Sequence, residues 1–247
     1  MYKIVTSEST KEIFFDGELV LRVCKPDLDL RVLQDSFHFV PFDPYFSDGG
    51  RYRTTSRISV KGSKFELLPR KPLYQPAYVN KLDSYGAIDR DYDDVPISLL
   101  GTDAFRVMIE DWMSSIPFDV DTFSIHQIRT TDSGCPTPEG RHKDGTDWTG
   151  VYVVKRHSIN VASAKTKYWD VDGNQIIDEV LPVGTLINHY DRYFTHCTSE
   201  LEPESDVEPS YRDVFVITFP EHGVNKEQEE YRAKVLDAKK GLKNEFA

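Results

Sequence analysis

The sequence predicts a mainly β chain with flanking helices, closed as an antiparallel barrel or sandwich. Three observations carry that reading. Five short segments rich in β-branched and aromatic residues follow residue 120: FSIHQIR at 123–129, GVYVVKR at 150–156, AKTKYWDV at 164–171, TLINHY at 185–190 and DVFVITF at 213–219. One amphipathic helical segment precedes them, and an Asp-Gly pair at 172–173 marks a hairpin between YWDV and NQII.

In chain order, residues 1–120 form a helical and β support that also contributes to the substrate region. Loop residues gather in FDPYFSDGG at 42–50 and DSGCPTPEG at 132–140, which punctuate one domain without dividing it. In TDAFRVMIEDWMSS, Phe105, Met108, Ile109, Trp112 and Met113 fall on one face of a helix opened by Thr102 or Asp103, so that helix packs on a sheet. Residues 121–220 form the metal-binding barrel core. Within it Asp172-Gly173 suits a type I′ turn, which needs positive φ at both positions. A calcium loop at DVDGN is the rival, but its later acidic ligands fall out of register. The tail 221–247 reads as a terminal helix from Asn225, with acids in its first turn, lysines in its last and Gly241 as its stop. No repeat or low-complexity tract interrupts the chain, so 1–247 is read as a single domain.

Composition narrows the function. Forty-one acidic against 30 basic residues give a net charge of −11, which repels a nucleic-acid backbone and an anionic membrane surface. No apolar run follows a basic stretch at the start, and no run of about 18 apolar residues occurs anywhere. The three cysteines, Cys24, Cys135 and Cys197, lack paired spacing. A reduced cytoplasmic setting and a small-molecule partner are expected, with neither nucleic acid nor membrane as a partner.

The chemistry concentrates in RHKDG. His142 and Asp144 lie two apart, so on extended backbone they share a face about 7 Å apart along the chain. His196 lies 52 positions beyond Asp144, far enough for hairpins to return it. Two imidazoles and a carboxylate on one face of a metal leave positions open, the arrangement used by non-haem iron(II) oxygenases. H-x-D alone also suits a plain Asp-Gly turn with His142 exposed. A fourth residue tips the balance. Arg212 shares a strand face with Val214 and Val216, so a permanent cation points inward and needs a carboxylate. A dicarboxylate cosubstrate would supply one; the alternative partners are Asp213 or Glu208.

The order of H-x-D, a distal His, Arg 16 positions later and an apolar strand resembles the 2-oxoglutarate- and iron(II)-dependent dioxygenases, and within them the small-molecule branch that includes L-isoleucine 4-hydroxylase. The segments that carry the resemblance are SIHQIR, TPEGRHKDGTDW, VYVVKRHSINV, YWDVDG, FTHCTSEL and YRDVFVITF, with only faint likeness before residue 120. The resemblance implies a double-stranded β-helix, or jelly roll, with His142, Asp144 and His196 as ligands of Fe(II) and Arg212 on the distal carboxylate of 2-oxoglutarate. It implies hydroxylation of a free amino acid or similar small polar metabolite by O2, with succinate and CO2 as coproducts. A carboxylate at position 144 favours hydroxylation, desaturation or ring formation over halogenation. Val161-Ala162-Ser163-Ala164 stands where the family often has Gly-Gly, and side chains there would narrow the pocket or alter a loop.

Further candidates lie nearby. Gln127 and Arg129 share one face of their strand; if it looks into the barrel, Gln127 serves the cosubstrate and Arg129 a substrate carboxylate. Arg51, Arg53 and Arg57 share another face, as an anion pocket containing Arg53 or as partners of surface acids. His126, His157 and His189 read as satisfied core or edge histidines, and Cys197 as a small buried hydrophobe. A zinc hydrolase on the same His-Asp-His set and a cupin-like binding module without turnover remain as rivals.

Overall fold

A computed structural model describes residues 2–7, 9–46, 49–132 and 134–221. The expected helix from Asn225 lies outside these residues. In chain order the elements are β1 (Tyr2–Thr6), β2 (Thr10–Phe15), β3 (Glu18–Cys24), α1 (Leu30–Asp35), β4 (Arg51–Lys61), β5 (Lys64–Leu67), β6 (Leu73–Tyr74) and β7 (Asp89–Arg90). There follow α2 (Ile97–Leu100), α3 (Asp103–Met113), β8 (Thr122–Thr131), β9 (Trp148–His157), β10 (Thr166–Trp169), β11 (Gln175–Glu179), β12 (Leu186–Tyr190), β13 (Thr195–Thr198) and β14 (Tyr211–Phe219).

A nine-stranded antiparallel sheet runs in the order β1-β2-β3-β12-β9-β14-β8-β4-β5. It draws strands from both halves of the chain, including β1–β5 before residue 70. A second sheet, β11-β10-β13, faces it in the jelly-roll manner of a double-stranded β-helix. Tyr168 and Ile177 of the small sheet pack with Ile128, Val153, Ile187 and Val214 of the large one. Parity then decides what each strand offers. In β8, Phe123 and Ile125 turn to the outer face, where Phe105, Met108, Ile109 and Trp112 of α3 cover them. His126, Ile128 and Thr130 turn inward to line a cavity between the sheets.

α3 forms over the expected span because Thr102 caps it, its hydroxyl accepting from the backbone N–H of Phe105 at 3.2 Å. The hairpin between β10 and β11 also forms, but its turn differs from the expected type I′. Only Gly173 has positive φ, at 86°, and Asp172 does not. Asp170 N–H bonds to the Asn174 carbonyl, which encloses a three-residue loop. The Asp170 carboxylate accepts from the backbone N–H groups of Asp172 and Asn174 at 3.0 and 2.8 Å, so it organises the turn. Among the described residues no helix is long and apolar enough to cross a membrane.

Candidate metal centre

His142 and His196 meet across a single antiparallel bridge. Each backbone N–H donates to the other's carbonyl, at 3.0 and 2.9 Å, so residue 142 adds one rung to the edge of β13. This brings the two rings to 4.5 Å. Asp144 sits between them: its Oδ1 is 3.5 Å from His142 Nε2, and its Oδ2 is 3.5 Å from His196 Nε2. The three residues that the sequence singled out therefore converge.

The surroundings fix each ligand candidate. His142 Nδ1 lies 2.9 Å from the Gly140 carbonyl, which can only accept, so Nδ1 carries a proton and Nε2 faces Asp144. The Tyr168 ring stacks on His196 at 5.2 Å and sets its plane. Asp191 binds backbone: its two oxygens accept from the N–H groups of Asp144 and Gly145, both at 3.0 Å. Gly145 permits this turn, with φ of 78° and Val79 close enough to crowd any Cβ.

Electrostatics suit a cation. Burial opposes ionisation of Asp144, yet the imidazoles of His196 and His142 outweigh it and hold the carboxyl well below the usual carboxylate range. Burial, the largest cause, pushes His196 well below the ordinary imidazole value against the opposing pull of Asp144. His142 is also buried, but Asp144 and then Glu139 raise it to about 9, so an incoming cation displaces its proton. Asp144 Oδ2 is buried without a hydrogen-bond partner, a costly state for a carboxylate oxygen unless an ion completes it. Two nitrogens and one oxygen in this setting fit a divalent transition metal.

A second grouping overlaps the first. One ligand atom each from Asp144, His189, Asp191 and His196 lies within 4.8 Å of the others. In it Asp191 is already spent on two backbone N–H groups, and His189 Nδ1 is 3.1 Å from the Tyr168 hydroxyl. Sequence reasoning left His189 as core and missed Asp191, which acts on backbone rather than through a motif. The available signal was that the two lie two apart in NHYD, with His189 on β12 and Asp191 just past its end.

The other predicted residues divide. Arg212 lines the cavity with Val214 and Val216 and is only 5% exposed. Among the described residues its Nε and Nη2 have no hydrogen-bond partner, and burial, with Arg156 next, pushes its guanidinium down to about 10. Neither alternative acid reaches it: Asp213 is taken by Arg129, and Glu208 accepts from Ser158. Arg53 also lines the cavity, with Arg51 beside it, whereas Arg57 pairs with Glu221 at 2.6 Å.

Gln127 and Arg129 do not reach the cavity. Their face is the outer one, shared with Phe123 and Ile125. Gln127 accepts from Thr54 Oγ1 at 2.9 Å and donates to Ser36 Oγ at 2.8 Å. Arg129 grips Asp213 through two bonds of 2.7 and 2.8 Å. His126, left out of the site on sequence, faces inward instead. Val161 is exposed and none of residues 161–164 lines the cavity; Ala164 has a φ of 51°, in the left-handed region that glycine adopts most easily.

A family model for 2OG-Fe dioxygenases matches residues 34–218. No curated protein matches the chain. Among solved structures, a bsmA homolog from Methylobium petroleophilum PM1 superposes with a TM-score of 0.66 at 20% identity, covering 81% of this chain and 87% of its own. The Fe(II)/α-ketoglutarate-dependent dioxygenase TqaL gives 0.54 at 18% identity, over 76% and 73% of the two chains. IDO from Bacillus thuringiensis gives 0.54 at 14% identity, over 76% and 84%. At these identities the likeness to solved structures establishes the fold.

Proposed function

Since the chain belongs to the 2OG-Fe dioxygenase family and is an oxygenase that uses Fe(II) and 2-oxoglutarate, we propose that His142, Asp144 and His196 hold the iron and that Arg212 receives the distal carboxylate of 2-oxoglutarate. The substrate in this reading is a free amino acid or similar small polar metabolite, most often hydroxylated, as in the branch that includes L-isoleucine 4-hydroxylase. The chain acts as one domain in a cytoplasmic setting, a reading supported by three free cysteines and by a large sheet that spans residues 2–219.

The observation that carries the proposal is Arg212. A buried guanidinium with two unpartnered nitrogens is expensive, and the same cavity holds a ligand set for a divalent cation, so a dianionic cosubstrate would pair with Arg212 through one carboxylate and with the bound cation through its other end. Bound iron with 2-oxoglutarate and O2 supplies the oxidising power that inserts oxygen into a C–H bond, with succinate and CO2 as coproducts. The protein's own residues orient and shield. Asp191 fixes the backbone that carries Asp144, Tyr168 fixes the His196 ring, and Val151, Val214 and Val216 form an apolar wall that keeps water from the reacting carbon.

Two readouts test the assignment. Anaerobic Fe(II) with 2-oxoglutarate should give a weak visible charge-transfer band, and Asp144→Ala or His196→Ala should lose both the band and succinate formation. Retention of turnover in either variant rejects these ligands. A screen of the twenty amino acids and common derivatives for stimulated succinate release, with mass spectrometry of each hit, then identifies the substrate and the change made to it.

A further inference from the structure

The inner face of β4 presents Arg51 and Arg53 to the cavity, at 8% and 7% exposure. The Arg51 guanidinium lies 5.6 Å from the Phe46 ring centroid and 5.9 Å from that of Tyr85, and among the described residues its buried Nε has no hydrogen-bond partner. Arg53 is held in place, its Nη2 donating to His126 Nδ1 at 3.1 Å and its Nε to Thr55 Oγ1 at 3.3 Å. Among the described residues neither forms an ion pair. The contrast lies on the same face of the same strand: Arg57 is closed by both oxygens of Glu221, at 2.7 and 2.6 Å. Arg57 finds its carboxylate, and the two arginines at the cavity do not.

Three buried arginines line the cavity, Arg51, Arg53 and Arg212, and two carboxylates line it with them, Asp144 and Glu139. Asp144 belongs to the metal site, and Glu139 Oε1 lies 3.5 Å from His142 Nε2. His126 accepts from a guanidinium and so is neutral at Nδ1. One positive charge is left over. A divalent ion and a dianionic cosubstrate cancel each other and leave that excess in place.

We infer that the substrate is a carboxylate of net negative charge and that its carboxylate is bound by Arg51, with Arg53 beside it. A zwitterionic amino acid leaves the excess charge uncompensated, whereas an acidic amino acid, or one whose amine is acylated, closes the balance. The inference rests on the reading in which Arg212 takes the cosubstrate and His142, Asp144 and His196 the metal. It makes Arg51 a specificity-determining residue distinct from both.

The test is a matched charge series on the iron-loaded full chain. The twenty amino acids and their N-acetyl derivatives are compared for succinate release above the substrate-free background and for perturbation of the anaerobic Fe(II)·2-oxoglutarate band. The best net-anionic compound is expected to exceed the best zwitterion in kcat/KM by about tenfold or more, the worth of one charge-assisted contact. In Arg51→Gln that ratio should fall by about tenfold, and Arg51→Lys, which keeps the charge, should recover much of it. A best substrate of zero or positive net charge overturns the inference, as does a series in which no anionic carboxylate stimulates turnover or moves the band. Those outcomes leave the oxygenase reading intact as long as substrate-free succinate formation persists and is lost in Asp144→Ala. The charge series on the unaltered protein decides the matter even if an Arg51 variant fails to fold.

Discussion

Two arginines on neighbouring strands show how one position of parity separates structure from function. Arg129 on β8 lies opposite Asp213 on β14, and on the outer face the two close a bidentate ion pair, with the Arg129 guanidinium stacked 4.2 Å over Tyr211. Arg212, one residue before Asp213, turns the other way and has no acid. The two should respond oppositely to removal. Arg129→Gln strands a fully buried carboxylate and should lower stability by about 3 kcal/mol, the low end for a broken buried pair because Arg129 is partly exposed. It should leave 2-oxoglutarate affinity alone. Arg212→Leu removes a desolvated, unpaired cation, so stability should hold or rise, while 2-oxoglutarate affinity should fall by about 2–5 kcal/mol. Denaturant unfolding and 2-oxoglutarate titration of the two variants check this; a reversed pattern would exchange their roles. In sequence, Arg212 was legible because Val214 and Val216 fixed its face. Arg129 and Gln127 were not, because β8 is buried on both faces and no wet side betrays its direction. Phe123 and Ile125, which share their parity and match the apolar stripe of α3, were the signal for the outer face.

At the level of elements, the packing of α3 on the large sheet depends on one small residue. Gly150 in β9 faces the Trp112 indole, and a Cβ at position 150 would stand 2.5 Å from Trp112 Cδ1. Trp112 cannot simply retreat: it is fully buried, edges against Phe123 at 5.4 Å, and its carbonyl accepts from Asn188 Nδ2 at 2.7 Å. Gly150→Ala should therefore cost about 1–3 kcal/mol from overpacking, a loss of several degrees in Tm at about 2–4 °C per kcal/mol. Combining it with Trp112→Phe should cost less than the two single changes added together, because the smaller ring makes the room. Thermal melts that show full additivity would mean that the two positions do not share the contact. The helix itself was readable from periodicity and its Thr102 cap, since both are local. The Asp172-Gly173 turn was readable as a hairpin but not as its type, because the Asp170 side chain, two residues outside the pair, reorganises the loop.

Across the whole molecule, charge is sorted by depth. The acidic excess lies nearer the surface: among the described residues four arginines, Arg51, Arg53, Arg90 and Arg212, and four aspartates, Asp43, Asp170, Asp191 and Asp213, are buried, and three of the arginines line one cavity. That sorting was invisible in composition, which reports a net charge of −11 and no location. Nor did the first 120 residues announce that β1–β5 extend the same sheet as the barrel strands, because pairing between distant strands leaves no local period to read. The sorting has a consequence for stability. Asp144 Oδ2 and the Arg212 nitrogens are desolvated without partners, so the folded state improves when ligands complete them. A divalent ion such as Mn(II) should raise Tm by itself through Asp144. With the ion present, 2-oxoglutarate at about 100 times its Kd should add about 2.7 kcal/mol, or about 5–10 °C for a chain of this size. Asp144→Ala should lose both increments, and Arg212→Leu only the second, because the ion site survives it. If 2-oxoglutarate raises the Tm of the unaltered protein equally without the ion, the dicarboxylate is bound away from the metal centre, and the arrangement of ion, cosubstrate and arginine in one cavity is wrong.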